Sequence, residues 1–212
     1  MVHNTWIVGK AAKVYRFREN LLWIYDGYDR YYTSSSRLYM TYTNRPLTEN
    51  LEILTLKTAM TIGHLLNRTV ILPRFHRGSK SASECPLNSI LHLRTFDSHF
   101  AGLYRESSFL QHPKVPNAVK SGLSKTFAVV NHDFGTTNSS SLYRNATAVT
   151  GAVIWSKFGN MADIKVLVFG SLCNVHVLLE NNSRDIAFSK KLREAFYRAD
   201  YKQLTRGKLV AG

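Results

Sequence analysis

The clearest periodicity in the chain runs from about Thr48 to Leu66. Leu51, Leu54, Ala59, Ile62, Leu65 and Leu66 recur at helical spacing on one face, and Thr48 or Asn50 is placed to cap the start. Asn67-Arg68 then turns the chain into the β-branched run Thr69–Leu72, which Pro73 stops. A long helix, a two-residue turn and a short apolar strand form a typical α/β unit. A second such unit closes the chain. Ile164–Phe169 reads as a buried strand and Val175–Leu179 as another. An amphipathic helix from Ser183 to Tyr201 follows, with Ile186, Leu192, Ala195 and Phe196 toward the core.

The remaining pattern is shorter in period. KAAKVYRFREN, from Lys10, predicts a basic helix, and Leu21–Tyr25 a brief strand. Asp26 to Ser36 is a polar, tyrosine-rich loop and the best boundary in the chain. Arg37–Thr43 alternates as a strand does, Leu87–Leu93 fits either a strand or a helix, and His76 to Pro86 is a basic loop. Phe96–Phe100 and Val115–Leu123 read as short helices, Thr126–Asn131 as a strand, and Ala146–Phe158 as a helix after the polar stretch Asp133–Asn145. The fold class that follows is α/β, a Rossmann-like layered sheet with flanking helices.

Composition narrows the function classes. The 212 residues are 44% hydrophobic and 20% charged, which is globular rather than disordered. The apolar runs fall far short of the roughly 20 residues that cross a bilayer. Lysine and arginine number 28 against 14 acidic residues, a formal charge of +14 that favours anionic partners. The excess is shared by both halves rather than held in one stripe or tail, so no nucleic acid is expected as a partner. The densest basic stretch, Arg184 to Lys208, fits either a solvated helix face or an attraction for phosphate, sulfate or anionic lipid.

Several chemistries leave no trace. There is no G-x-G-x-x-G, P-loop, G-x-S-x-G, H-E-x-x-H or C-x-x-C, and no D-x-D. His92 and His99 share a helix face, as an exposed or packed pair does more often than a metal site. Cys85 and Cys173 cannot build a disulfide framework, and whether they meet stays open. Four N-glycosylation sequons, at Asn67, Asn138, Asn145 and Asn181, push toward a lumenal location, yet no signal peptide follows Met1.

The opening His3-Asn4-Thr5-Trp6-Ile7-Val8-Gly9-Lys10, then Lys13 and Phe17-Arg18-Glu19-Asn20-Leu21-Leu22-Trp23, resembles the last segment of the nucleotide-diphospho-sugar transferase family. That family includes plant arabinosyltransferases and xylosyltransferases. The resemblance covers about the first 25 residues. It implies a short remnant of a GT-A-type transferase domain over 1–36, followed by an α/β glycosyltransferase-like domain over 37–212. It also implies His3 as a late metal ligand, with Gly9 and Lys10 near the donor diphosphate. A leaving diphosphate gathers negative charge that a divalent metal (Mn or Mg) and lysine stabilise. The D-x-D of the family would lie upstream of Met1. The expectation is therefore a C-terminal portion of a longer, Golgi-lumenal, membrane-anchored enzyme, inactive by itself. Its parent would take a nucleotide-sugar donor and a glycan or protein acceptor.

Leu54-Thr55-Leu56-Lys57-Thr58-Ala59-Met60 through Leu65-Leu66-Asn67-Arg68-Thr69-Val70-Ile71-Leu72-Pro73 is similar to the first helix and second strand of fucosyltransferase-like domains. In those domains a Gly-Asn-rich entry precedes the helix; here Asn44-Arg45-Pro46-Leu47 stands in its place. After Pro73, Arg74, His76 and Arg77 sit where an open α/β sheet binds ligands, as anion-binding candidates or as a solvated basic loop. Tyr104-Arg105-Glu106 and Asp200-Tyr201 are possible sugar contacts. The rival to the transferase reading is a non-catalytic basic module that binds an anionic glycan or another polyanion.

Overall fold

The computed structural model describes residues 10–23, 30–44, 48–76, 84–129 and 147–209, with backbone alone for 49 and 198–209. The first half holds α1 (Lys10–Glu19), β1 (Tyr39–Tyr42), α2 (Glu49–Leu65) and β2 (Thr69–Ile71). There follow β3 (Phe75–His76), β4 (Glu84–Cys85), α3 (Leu87–Ile90), α4 (Leu93–Phe100) and β5 (Tyr104–Arg105). The second half holds a 3-10 turn (Phe109–Gln111), α5 (Asn117–Lys120), β6 (Leu123–Phe127), β7 (Thr147–Thr150) and α6 (Gly151–Phe158). Strands β8 (Val166–Phe169) and β9 (Val175–Leu178) lead to α7 (Ser183–Leu209).

Five strands form a parallel sheet in the order β5-β2-β1-β8-β6. Tyr39 lies opposite Thr69 and Val166, and Val70 opposite Tyr104, so the carboxyl ends of all five strands share one edge. Successive residues alternate between faces. Met40, Val70 and Leu167 enter the larger core, while Tyr39, Ile71 and Val166 enter a smaller one with Tyr31, Tyr32 and Phe109. Because both faces are covered, the central strands read as continuous apolar runs. The two-stranded pairs β3–β4 (antiparallel) and β7–β9 (parallel) flank this sheet.

Helix α2 lies against β1, β2, β9 and α6. That packing buries Ile53, Leu56 and Met60 beside the expected stripe, together with Glu52, Thr55, Thr58 and Thr61. The close approach to β2 depends on Gly63: a Cβ there would meet Val70 Cγ2 at 2.6 Å and the Arg68 carbonyl at 2.9 Å. Arg68 pins the next turn. Its guanidinium donates to the carbonyls of Tyr39 (3.1 Å), Ile164 (2.8 Å) and Met161 (2.5 Å). Helix α1 packs on α4, with Ala12 and Tyr15 in the larger core. The helix of the first 36 residues thus shares its core with the sheet that follows.

Several elements differ from the sequence expectation. Within the described residues, Leu21–Trp23 is not a strand. Leu21 turns to φ 58°, and the Leu21 and Leu22 N–H groups close the end of α1 on Arg18 and Phe17 carbonyls. Of Val115–Leu123 only one turn after Pro116 is helical, and Leu123 already opens β6, three residues ahead of the expected start. The helix expected over 146–158 begins at Gly151, because Thr147–Thr150 pairs with β9 and the Thr150 hydroxyl accepts from Val153 N at 3.4 Å. Leu87–Leu93 divides between two helices. In α7, Ile186 is 52% exposed and Phe188 holds the core position instead. Cys85 and Cys173 are both free thiols. Among the described residues no helix is long and apolar enough to cross a membrane.

Candidate functional site

Each sequence-predicted site residue now has a place, or falls outside the description. His3, Gly9 and Arg77 lie outside the described residues. Lys10 opens α1 with an exposed side chain. Arg74 and His76 follow β2 at the carboxyl edge of the sheet, and both face carboxylates. Arg74 forms an ion pair with Glu84 of β4, and His76 Nδ1 lies 3.6 Å from the buried Glu52. Asn44 ties these together, donating to Glu52 Oε2 at 2.7 Å and to the Arg74 carbonyl at 3.0 Å. The edge is therefore a charge-paired network built around Glu52, whose burial demands such partners.

Lys10 belongs to a different feature. A cleft of about 530 Å³ runs between α1 and α4 over the edge strand β5, and Lys10, Arg18 and Arg94 bring three cations to it. Tyr15, Tyr31 and Tyr104 supply aromatic wall, and Asp97 is its acidic member. Asp97 accepts from the Tyr104 hydroxyl at 2.8 Å, so its charge is partly engaged. The position of Lys10 follows from the helix itself. Lys10, Val14 and Arg18 recur every four residues and line one side of α1.

Beneath the cleft lies a buried cluster. Tyr31 donates its hydroxyl to Glu106 Oε2 at 2.5 Å. Its ring lies 3.6 Å from the Arg18 guanidinium carbon and 4.0 Å from that of Arg105. Arg105 and Glu106 are fully buried at the end of β5, not surface sugar contacts. Burial holds the Glu106 carboxyl above the usual carboxylate range, although the Tyr31 hydrogen bond and the two arginines pull the other way. Burial likewise pushes the Tyr15 and Tyr31 hydroxyls well above their ordinary range. Tyr15 Oη, Arg18 Nε, Arg105 Nη2 and Glu106 Oε1 are buried without a hydrogen bond among the described residues. Such a concentration of unsatisfied polar atoms is unusual in a native core and marks a place where polarity has been retained.

The sequence pointed to Lys10 and to Tyr104-Arg105-Glu106 separately. It gave no sign that Arg18 and Arg94 join Lys10, because α1 and α4 meet only through tertiary packing. Asp200 and Tyr201 lie on α7 where side chains are not described. As to metal, the described residues gather no group of three or more His, Cys, Asp or Glu, and His3 lies outside them. Comparison of the chain with protein-family models, curated proteins and solved structures finds no match.

Proposed function

We propose that this chain belongs to a glycosyltransferase that moves a sugar from a nucleotide-sugar donor to a hydroxyl of a glycan or protein acceptor, within the Golgi lumen. The observation that supports this reading is the company of Lys10. The residue that the family resemblance places near the donor diphosphate lines a ligand-sized cleft with two arginines. In sugar transfer the bond from the anomeric carbon to the diphosphate breaks, and a bond to the acceptor oxygen forms. Cations fixed beside the diphosphate stabilise the charge that gathers there. Lys10, Arg18 and Arg94 bring such charge to the cleft. In the parent enzyme a divalent metal (Mn or Mg) with His3 as a ligand would share this work; no step of the present chain is routed through it. We assign this chain donor contacts rather than complete turnover.

Calorimetric titration with nucleoside diphosphates tests the reading. Saturable binding to the 212-residue chain that is lost in Lys10→Ala and Arg94→Ala supports it. Binding indifferent to both substitutions overturns the cleft's role. The charge of +14 favours a second reading, a non-catalytic module for an anionic glycan. The two separate on conditions: polyanion affinity falls steeply with salt, whereas donor binding by the metal-assisted route requires a divalent cation.

A further inference from the structure

The opposite edge of the sheet carries a larger cavity that no sequence motif announced. It measures about 600 Å³ and opens at the amino ends of β1, β2 and β5, between the end of α2 and the start of α7. Arg37, Arg68, Arg184 and His64 line it, and among the described residues no aspartate or glutamate does. Ser34, Ser36 and Asn67 add neutral polar groups.

In a parallel sheet the helix carboxyl ends gather at this edge, bringing partial negative charge and unpaired carbonyls. The arginines answer that first. Arg184 Nη2 donates to the His64 carbonyl at 2.7 Å, and Arg37 Nη1 donates to the Gly102 carbonyl at 2.7 Å. Gly102 accepts this geometry at φ +81°, where a side chain would be strained. Each bond ties one nitrogen of a guanidinium to the cavity wall, Arg37 being half-buried and Arg184 exposed. The remaining donors of Arg37 and Arg184 make no described hydrogen bond. Arg68 is held behind them by its three carbonyls.

The acid closest in sequence to this wall is already occupied. Asp185, on the first turn of α7, accepts from Asn182 at 3.1 Å and from the Glu180 N–H at 3.2 Å, and faces His64 Nε2 at 2.9 Å. The charge facing the cavity is that of Arg37, Arg184 and Arg68, the last also under the field of Asp163, and the forked guanidinium donors match tetrahedral oxyanions. Among the described lining residues Phe188 is the one phenyl ring, and it is buried and stacked on His64 at 4.0 Å, so it offers no open face for a nucleobase to stack on.

We infer that this amino-edge cavity is a binding site for a phosphate- or sulfate-bearing ligand, held by Arg37 and Arg184 with Arg68 behind them. The site adjoins the Lys10 cleft at Ala101 and Gly102 but shares none of its cations, and it does not depend on the sugar-donor reading. It gives the polyanion reading a defined location.

The test titrates the full 212-residue chain, produced without glycosylation because Asn67 lies on the cavity wall, with inorganic pyrophosphate and with a sulfated disaccharide. Amide shifts are followed by NMR. Saturable shifts centred on Ser36, Arg37 and Arg184 are expected from at least one probe, and the probe that saturates identifies phosphate or sulfate as the source. Arg37→Ala and Arg184→Ala should each weaken binding about tenfold, the loss of one charge-assisted hydrogen bond. Ser36→Glu keeps every structural bond described above while adding an anion, and should weaken binding at least as much. Lys10→Ala should leave these shifts unchanged, which distinguishes this site from the donor cleft. Absence of saturation with both probes overturns the inference. So does binding that survives Ser36→Glu together with the arginine substitutions.

Discussion

Tyr31 and Glu106, 75 residues apart, are joined by a 2.5 Å hydrogen bond that fastens the loop after α1 to the end of the edge strand β5. The bond holds a buried carboxyl that makes only part of its possible contacts, since Glu106 Oε1 finds none among the described residues. Two consequences are measurable. Tyr31→Phe leaves the carboxyl without its donor and should cost about 1–3 kcal/mol in urea unfolding.

The second consequence concerns pH. Burial raises the Glu106 affinity for a proton in the folded state above that in the unfolded chain. The associated stability is fully present below the ordinary carboxylate pKa of about 4.3 and is lost as pH rises through the raised folded value. Glu106→Gln should remove that component. Its stability should fall less than that of the parent chain between mildly acidic and neutral pH. A parallel decline in both proteins would place the titration elsewhere.

His64 should act in the opposite sense. Burial lowers its folded pKa despite the hydrogen bond to Asp185, so the folded state prefers the neutral ring. Its contribution is present above the unfolded pKa of about 6.5 and is lost as pH falls toward the lower folded value. NMR titration of the ring should place its midpoint below that of a model peptide, and His64→Gln should flatten the acid side of the stability curve.

Arg68 should be the least replaceable surface-to-core link. Arg68→Met keeps the aliphatic stem but deserts three carbonyls, and a loss of at least about 3 kcal/mol is expected from chemical unfolding. Arg68→Lys should recover little, because a single ammonium does not reproduce the planar fork.

Gly63→Ala probes the fit of α2 on β2. The added methyl meets a backbone carbonyl at 2.9 Å as well as Val70, so the helix itself must shift. A helix-favouring substitution should here lower stability by about 1–3 kcal/mol, read as a fall in thermal midpoint. A rise would show that α2 and β2 are more loosely joined.

Much of the architecture was legible along the chain, most of all where period and punctuation agreed. The α2–β2 unit combined a helical stripe, a two-residue turn and a stopping proline, and β8 was an unbroken apolar run. Weak segments misled for local reasons. Leu21-Leu22-Trp23 is apolar enough for a strand, yet its backbone is consumed in ending α1. Residues 147–150 continue an apolar pattern into α6, and only the presence of β9 beside them makes them a strand. Ile186 sits at core spacing on α7, but α4 meets the face carrying Phe188 and Phe196 instead, with Phe100 5.8 Å from Phe188 and Phe96 5.6 Å from Phe196.

The sequence by itself determined the α/β class of fold and a strongly basic charge, because each of these rests on composition or on neighbours along the chain; Lys10 entered only through the family resemblance. Tertiary structure alone decided which cations act together. It joined Arg18 and Arg94 to Lys10, matched Arg74 with Glu84, and set Arg37 beside Arg184 at the far edge. Charges separated by dozens of residues acquire a shared field only when packing brings them within a Debye length and removes the water between them.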